Sequence, residues 1–276
     1  MIQYKSREEV VLIRESCRIV SDTLALLASN IQVGMSTLAL DRLAEEFIRS
    51  QGGVPAFKGY RGFPASLCIS INKEVVHGIP REDVRMNDGD LVSIDCGVLK
   101  GGYFGDAAYT FPVGNVTEEH MKLCQATLLS LYKGLASARC GMRLGDIGHA
   151  IQSFIEGECG YGVVRELVGH GIGKELHEEP VVSNVGKRGS GPLLRHGLVI
   201  AVEPMVNLGK REVAVLDDHW TVVSRDESVS AHYEHTVAIF REGTEILSDH
   251  SGIALAIASN PCLRMVDMQE EAFALQ

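Results

Sequence analysis

Apolar residues in the first fifty positions recur every three or four residues, the spacing of one face of an α-helix. The first series follows Ser6 and Glu9, which have the arrangement of a capping box at a helix N-terminus. Its members are Val10, Ile13, Cys17, Val20, Leu24 and Leu27. Gly34 interrupts the pattern, and a second helix is predicted to end near Arg49. The chain therefore begins with a predicted pair of amphipathic helices.

The pattern then changes to that of β-strands. Residues 67–71 are predicted to be a strand, and residues 91–112 form two runs of β-branched and aromatic residues around a Lys-Gly-Gly turn. If Lys100 and Gly101 are the two turn residues, Asp95 lies directly opposite Asp106, with Cβ atoms about 4.5–5.5 Å apart. Two like charges among apolar neighbours are destabilising unless a cation lies between them.

The register of this hairpin is not fixed by the sequence. A shift of two residues keeps Asp95 and Asp106 on one face of the sheet, whereas a shift of one residue separates them. From this stretch alone, two unrelated aspartates on a solvated edge remain the alternative.

The second half repeats the order of the first. A helix is predicted from Thr117 to about Ala138, and Gly141-Met142 then interrupts the pattern. A further helix, which carries Ile147, Ile151, Phe154 and Ile155, is predicted to end near Gly160 and is followed by strands near 198–207, 220–224 and 232–241. An offset of 107 residues carries Gly34-Met35 onto Gly141-Met142 and Phe47-Ile48 onto Phe154-Ile155. We infer a duplicated α-α-β unit, since internal repeats of this kind reveal architecture. Chance matches between two amphipathic helices are the alternative.

The predicted fold class is α+β, with one catalytic domain over residues 1–276. Its pseudo-repeat halves span about 1–113 and 114–247. The tail, residues 248–276, receives no assignment; residues 270–275 are open between a short helix and a frayed end.

Composition narrows the possible functions. A hydrophobic content of 45% over 276 residues is ample for a large core, and a net charge of −10 argues against a general binder of nucleic acid or of membrane surfaces. The seven scattered cysteines contain no Cys-x-x-Cys pair, which indicates free thiols in a reducing compartment. The charged N-terminus does not resemble a signal peptide, and no apolar run approaches the ~20 residues of a membrane span. We expect a cytoplasmic protein.

Three further polar residues stand in unusual surroundings. Glu203 lies in an otherwise apolar strand, Glu234 in another strand, and His170 among glycines. Glutamate is rarely buried unless it is paired or binds a metal. Pro204 cannot donate to a ladder and predicts a bulge or an edge beside Glu203. Taken singly, His170 suits a solvated loop, and Glu234 suits a polar strand face.

As a set, these residues predict a metal centre. Asp95, Asp106, His170, Glu203 and Glu234 carry a formal charge that two divalent cations would balance. In two-metal hydrolytic sites the ions are ~3.5–4 Å apart. Oxygen ligands with one histidine suit Co, Mn, Fe or Zn, and the sequence does not choose among them.

At this point the motifs resemble a known family, methionine aminopeptidase of the shorter type I. The motifs are Asn-Lys-Glu-Val-Val-His-Gly-Ile-Pro at 72–80, the hairpin with Asp95 and Asp106, Gly-His-Gly-Ile-Gly at 169–173, His-Glu-Glu-Pro at 177–180, Val-Glu-Pro at 202–204 and Tyr-Glu-His-Thr at 233–236. They extend over nearly the whole chain, to about residue 247. The resemblance implies the pita-bread fold, in which two pseudo-symmetric α-α-β halves surround a central antiparallel sheet with a dinuclear metal site.

The resemblance also implies an activity and roles. The chain would remove the initiator methionine from nascent proteins with a small second residue. The five residues of the set would bind two metals, with Asp106 and Glu234 bridging them, and a water between the metals would be activated. Glu203 would act as general base, His177 would hydrogen-bond the scissile carbonyl, and His77 would contact the substrate near the scissile amide.

The family's methionine pocket maps onto apolar residues of this chain. Its walls would be Tyr60, Phe63, Cys68, Leu176 and Trp220, joined by His77 and His177. Phe63 stands where a tyrosine is familiar in the family, and Leu176 stands where an aromatic residue is familiar. The resemblance therefore does not determine the shape of the pocket in this chain. Asn72, Glu74 and Ser230 match the positions of a monovalent cation, Na or K. Without the resemblance, each of these residues suits an ordinary core or structural role.

The implied partners are nascent polypeptide N-termini, with transient contact to the ribosome left open; we expect a monomer. One alternative is a proline-specific aminopeptidase or dipeptidase, which would share all five ligands but carry a separate N-terminal domain. A second is a non-enzymatic binding module, which would be expected to lose ligands. A third is a two-metal phosphoesterase, which the scarcity of Lys and Arg in the site segments disfavours. Neither an N-terminal zinc-binding region nor a type II insertion is recognised.

Overall fold

The computed structural model describes residues 1–267, and the segment 270–275 discussed above lies outside them. The helices are α1 (Arg7–Asn30), α2 (Thr37–Ser50), α3 (Glu118–Ser137), α4 (Leu144–Gln152), continued by a π-helical segment (Ser153–Cys159), and α5 (Ser251–Ser259), with a 3₁₀ turn at Tyr60–Gly62. The strands are β1 (Val54–Pro55), β2 (Leu67–Ile71), β3 (Glu74–Val76), β4 (Leu91–Lys100), β5 (Tyr103–Pro112), β6 (Gly162–Val163), β7 (Gly169–Gly171), β8 (Glu178–Val182), β9 (Leu198–Val202), β10 (Met205–Asn207), β11 (Val213–Val215), β12 (Val222–Ser224), β13 (Ser230–His232), β14 (His235–Ile239) and β15 (Thr244–Ile246).

The two predicted halves are present and keep the offset of 107 residues. Helices α1 and α3 end at Asn30 and Ser137, and helices α2 and α4 begin at Thr37 and Leu144. In each half the two helices pack on each other, and the longer one lies against the strands that follow. The predicted capping box of α1 is formed, since Glu9 N donates to Ser6 Oγ and Ser6 N donates to the Glu9 carboxylate. The α-α-β order inferred from the sequence is therefore correct.

Two main sheets meet between these halves. Strand β4 pairs with β1, β2 and β5 in the first sheet, and the second has the order β15-β14-β9-β7-β8. The smaller sheets are β13-β10-β6 and β11-β12-β3. Strand β5 lies beside the β13–β14 segment, where Glu234 N donates to Ala108 O at 3.0 Å and Thr236 Oγ1 donates to Asp106 O at 2.7 Å. The main chain thus joins the acidic strands of the two halves.

The hairpin β4–β5 has a different register from the one first considered. Gly101 and Gly102 form its turn with φ of 58° and 81°, so Lys100 pairs with Tyr103. Asp95 is opposite Ala108 and Asp106 is opposite Gly97, two residues away from direct opposition. Hairpin turns with positive φ at both central residues favour glycine at both, which excludes Lys100. Because the shift is two residues, both carboxylates stay on one face.

Both glutamates lie at interruptions of their strands. The segments 198–207 and 232–241, predicted as continuous strands, are broken between Val202 and Met205 and between His232 and His235. Since Val202 pairs with His235 and Met205 with His232, the two interruptions face each other. The irregularity that Pro204 predicted is therefore present, and it releases both glutamates from the ladder.

Several elements were missed by the sequence patterns. Strand β3 lies in a predicted loop, and β6, β7 and β8 lie in the glycine-rich region. The strand predicted at 220–224 begins only at Val222, because Trp220 N and Thr221 N donate to the carboxylate of Asp218. Helix α5 lies in the unassigned tail and packs on α1, where Asn260 Nδ2 donates to Ala28 O and Ile31 O.

The core fills the space between the helices and both sheets, and α1 contributes buried residues along its length. Among the described residues, no helix combines the length and apolar character that crossing a bilayer requires. Gly105 of β5 lies directly against the backbone of α1, because an added Cβ would come within 2.5 Å of Cys17 N.

We expect Gly105→Ala to lower the free energy of unfolding by about 2–3 kcal/mol, since overpacking against a helix backbone forces the elements apart. Denaturant unfolding would measure this loss. Gly157→Ala is the matched control, because an added Cβ there meets nothing within 4 Å. Equal stability of Gly105→Ala and the control would show that α1 does not fix the position of β5.

Candidate active site

A cavity of about 270 Å³ lies at the junction of the two sheets. It is lined by all five predicted metal ligands and by all seven predicted substrate-binding residues. The further lining residues are Phe57, Arg61, Val76, Glu166, Leu167, Val168 and Met205. Since Cys68 of β2 pairs with Asp95 of β4, the predicted pocket wall and the acidic cluster share one sheet face.

The acidic residues converge on His170. Ligand atoms of Asp106, His170 and Glu234 all lie within 4.8 Å of one another. His170 Nε2 is 3.9 Å from Asp106 Oδ2 and 3.8 Å from Glu203 Oε1. Asp106 and Glu234 are only 3% and 2% exposed, whereas Asp95 and Glu203 are half-buried. Carboxylates from both halves of the chain therefore meet around one imidazole.

The electrostatics of this cluster call for a cation. Burial raises the pKa of Asp95 and of Glu203 to about 7. Burial, followed by repulsion from neighbouring carboxylates, raises the pKa of Asp106 and of Glu234 well above their ordinary values. Among the described residues, nothing donates a hydrogen bond to Asp95 Oδ1, Asp106 Oδ1 or Glu234 Oε1. Buried carboxylate oxygens without partners are unstable unless a charge compensates them.

His170 is held in the form that binds metals. Its Nδ1 atom is 2.9 Å from the carbonyl oxygen of Gly171, which can only accept a hydrogen bond. The proton therefore lies on Nδ1, and Nε2 presents its lone pair to the carboxylates. Four carboxylates with one imidazole of this tautomer fit divalent cations such as Mn, Fe, Co or Zn. The residues present thus fit the predicted metal centre.

The opposite wall of the cavity is apolar. Phe57, Phe63, Cys68 and Leu176 belong to one buried cluster, with Trp220 packed against it. The rings of Phe63 and Trp220 meet edge to face with centroids 5.1 Å apart. Phe63 and Leu176, the two positions where this chain departs from the familiar pattern, both contribute apolar surface. The cavity therefore joins an acidic cluster to an apolar recess.

Two histidines complete the lining. His77 has a positive φ of 60° after β3, and burial lowers its pKa to about 4, so its imidazole is neutral. His177 lies at the exposed mouth, with Nδ1 2.8 Å from Tyr60 Oη and its ring centroid 4.2 Å from that of His170. Enclosure by the pocket, and then His170, lower the pKa of His177. Both side chains are able to hydrogen-bond a neutral substrate.

His232 is a residue of this centre that the sequence patterns did not single out. It is 1% exposed, its Nε2 lies 3.5 Å from Glu203 Oε2, and that nitrogen has no hydrogen-bond partner among the described residues. Its sequence signal was its closeness to Glu234, two residues away, whereas its position beside Glu203 depends on the pairing of His232 with Met205 across the two interruptions. The two carboxylate oxygens of Glu203 thus face different histidines, with Oε1 near His170 and Oε2 near His232.

The three residues predicted to bind a monovalent cation lie outside this cavity. Ser230 N donates to Asn72 O, Asn72 Oδ1 accepts from Leu91 N, and Glu74 Oε2 accepts from Ile71 N. Asn72 Oδ1 and Glu74 Oε2 thus each accept a hydrogen bond from the main chain, and Ser230 Oγ donates to Val206 O. The monovalent site stays a prediction.

Comparisons with known proteins agree with this geometry. Residues 11–240 match the metallopeptidase family M24. A methionine aminopeptidase from Clostridium acetobutylicum is 50% identical over 248 residues, covering 90% of this chain and 99% of the relative. The crystal structure of methionine aminopeptidase from Rickettsia prowazekii has a TM-score of 0.88 at 38% identity, covering 90% of this chain and all of that one. A prolidase from Pyrococcus horikoshii has a TM-score of 0.72 at 25% identity, with 89% of this chain and 63% of the prolidase covered.

We expect His232→Leu to weaken the binding of divalent ions by about tenfold, the lower end of the loss seen when a group that orients a metal ligand is removed. A small rotation would bring Nε2–H within hydrogen-bond distance of Glu203 Oε2. His232→Gln keeps an N–H donor at similar reach and is expected to bind as the parent does. Calorimetric titration of Mn²⁺ into the metal-free proteins would test this; parent-like affinity of His232→Leu would contradict it.

The metal-free protein is expected to lose stability as the pH rises from about 4, the pKa of an unfolded carboxyl group, to about 8, because acids whose folded-state pKa is raised hold protons that the unfolded chain releases. Asp106→Asn removes one of these carboxylates. We expect the loss of one repulsive carboxylate to stabilise the metal-free form by about 1–2 kcal/mol at the upper pH. Since 1 kcal/mol corresponds to about 2–4 °C for a chain of this size, its Tm would be about 2–8 °C above that of the parent. Calorimetry of both proteins checks this. Both proteins contain the same buried histidines, so the contribution of these histidines to the pH dependence drops out of the comparison. A lower Tm for Asp106→Asn than for the parent would be evidence against repulsion among the carboxylates.

Proposed function

Since the chain belongs to metallopeptidase family M24, in which its relatives are methionine aminopeptidases, we propose that it removes the N-terminal methionine from polypeptides. The fold is the pita-bread fold expected from the motifs, and the enzyme is an aminopeptidase of the hydrolase class. The observation that carries the proposal is the joining, in one cavity, of a buried carboxylate–histidine cluster to an apolar recess.

We propose that Asp95, Asp106, His170, Glu203 and Glu234 hold two divalent ions. Asp106 and Glu234 are the most deeply buried of the four carboxylates, and each has an oxygen without a hydrogen-bond partner among residues 1–267, which suits ligands shared between two cations. Divalent ions there would supply Lewis acidity to the scissile carbonyl and make a water molecule acidic enough to react near neutral pH. The four carboxylates would then be held in their ionised form, and their mutual repulsion would be offset.

The chain's own groups account for the proton transfers. Glu203 is proposed to accept a proton on its carboxylate and to return that proton to the leaving amine. His177 would donate to the carbonyl oxygen, where negative charge develops, and His77 would contact the scissile amide. Both histidines line the cavity, and burial keeps His77 neutral.

The apolar recess suits a methionine side chain. Phe63, Cys68, Leu176 and Trp220 offer an uncharged surface, with Tyr60 closing the mouth, and a flexible thioether adapts well to such a wall. At about 270 Å³, the cavity is smaller than the ~300–1,000 Å³ usual for small-molecule sites, so it suits a single residue. We propose that this confinement also selects a small second residue.

Two other activities fit this chain less well. Proline-specific enzymes share the fold, but the prolidase is much less similar than the methionine aminopeptidases and extends well beyond the matched region. A phosphoesterase would need cations for phosphate, and Arg61 is the only Lys or Arg among the residues that line this cavity.

The remaining proposals concern organisation and location. We propose that the chain forms one catalytic domain, is cytoplasmic, acts on nascent chains as a monomer, and binds a Na or K ion near Asn72, Glu74 and Ser230.

The first test is methionine release from Met-Ala-Ser and from Met-Pro and Gly-Pro peptides, after chelation and then with added Co, Mn, Fe or Zn. We expect metal-dependent release from Met-Ala-Ser, with Gly-Pro untouched, and the yields would rank the metals. Cleavage of only Gly-Pro would transfer the protein to the proline-specific branch. No cleavage with any metal would favour a binding module.

Asp106→Asn is expected to lose metal binding and activity together, because a neutral amide neither bridges two cations nor offsets their charge. Metal content per chain by mass spectrometry and release from Met-Ala-Ser would be measured on the same samples. Asp22→Asn is a matched control, since Asp22 is on the outer face of α1 in an exposed pair with Arg18. A fully metallated, active Asp106→Asn protein would refute the bridging role.

A further inference from the structure

Main-chain hydrogen bonds position Tyr60 at the mouth of the cavity. The segment from Phe57 to Phe63 closes on itself, with Tyr60 N donating to Phe57 O at 2.9 Å and Phe63 N donating to Tyr60 O at 2.9 Å. Gly59 precedes it with φ of 87°, a conformation that favours glycine. Both flanking phenylalanines are buried, so the main chain that carries Tyr60 is anchored at both ends.

The hydroxyl of Tyr60 has one side-chain partner among the described residues. Its Oη lies 2.8 Å from His177 Nδ1, with the two ring centroids 5.2 Å apart. No other side-chain or backbone group of the described chain hydrogen-bonds either Tyr60 Oη or His177 Nδ1. The contact is therefore the local determinant of where the proton of the His177 ring lies.

Two arrangements of this hydrogen bond are possible for a neutral imidazole. If Tyr60 accepts from Nδ1–H, then Nε2 of His177 presents a lone pair, which repels a carbonyl oxygen. If Tyr60 donates to Nδ1, the ring proton lies on Nε2, and His177 becomes a hydrogen-bond donor. Only in the second arrangement does the phenolic proton form the hydrogen bond between the two side chains. Only that arrangement also leaves an N–H on His177 that can donate to a carbonyl oxygen as it becomes negative.

His170, whose ring is tilted by 57° against that of His177, has a different partner behind its Nδ1 atom. Its Nδ1 lies against the carbonyl of Gly171, which cannot donate, so His170 carries its proton on Nδ1. A carbonyl behind one ring and a hydroxyl behind the other thus allow two neighbouring histidines to hold different tautomers. One would then present a lone pair to cations, and the other an N–H to the substrate.

We propose that Tyr60 is a positioning residue that holds His177 in the Nε2–H tautomer, so that His177 donates to the carbonyl oxygen of the scissile bond. This inference rests on the proposed aminopeptidase function and deepens it. The competing role for Tyr60 is that of a simple wall of the recess, acting through its ring. The two roles differ in whether loss of the hydroxyl matters only when His177 is present.

A double-mutant cycle separates the two roles. The kcat and KM for Met-Ala-Ser would be measured on the metal-loaded parent, Tyr60→Phe, His177→Ala and the double variant. We expect Tyr60→Phe to lower kcat by about 10- to 100-fold with little change in KM, less than the ~10²–10³ caused by losing an oxyanion donor itself. In the His177→Ala background, the same change is expected to alter kcat less than about twofold, because coupled residues are not additive.

Phe63→Leu is the matched control on the same wall. It removes a ring that does not contact the polar atoms of His177, so its effect is expected in KM and of equal size in both backgrounds. An equal loss for Tyr60→Phe in both backgrounds, or an unchanged kcat, would overturn the proposal.

A second readout does not depend on activity. In the zinc-loaded protein labelled with ¹⁵N-histidine, the ¹⁵N–¹H couplings of the His177 ring distinguish the two tautomers. We expect Nε2–H in the parent and a mixture in Tyr60→Phe; a parent ring protonated on Nδ1 would refute the assignment. If the parent releases no methionine with any metal, the proposed function fails, while the spectrum still tests the tautomer.

Discussion

Repulsion among four buried carboxylates is the constraint on which the rest of the structure depends. Asp95 and Asp106 come from the first half of the chain, and Glu203 and Glu234 come from the second, so the cluster exists only when the halves meet. Burial raises the pKa of all four carboxyl groups, and repulsion from neighbouring carboxylates adds to this for Asp95, Asp106 and Glu234. Such a centre is stable in its ionised form only with cations between the carboxylates. The clustered carboxylates therefore make the metal-free protein less stable at the candidate active site.

The surrounding elements hold the carboxylates in position while leaving their oxygens free. Helix α1 lies against Gly105, next to Asp106, and fixes the hairpin from behind. The facing interruptions at Glu203 and Glu234 turn both side chains out of the regular alternation, and Glu234 N is tied to Ala108 O across the junction. A regular ladder would have placed successive residues on opposite faces. The interruptions are thus part of the site's geometry.

Selectivity and catalysis use different sides of one small cavity. The loop around Phe63 and the buried Leu176 supply apolar surface, and strand pairing of Cys68 with Asp95 brings that surface to the acidic cluster. His170 and His177 are close in sequence and in space, yet each has a different partner behind its ring. In the proposed mechanism, local hydrogen bonding rather than residue type would decide which of them faces cations and which faces the substrate.

The sequence by itself determined the helix pairs, the duplicated order and the residue types of the candidate site, because periodicity, capping and buried charge are local properties. The resemblance of its motifs supplied the fold family and the roles to be tested. Tertiary structure decided the hairpin register, since that depends on which glycines take positive φ, and it decided the placement of β3 and α5, whose segments lack a distinctive pattern. It also revealed His232 and the partner of His177. Those contacts join residues far apart in the chain, and no local pattern specifies which distant atom lies behind a given ring.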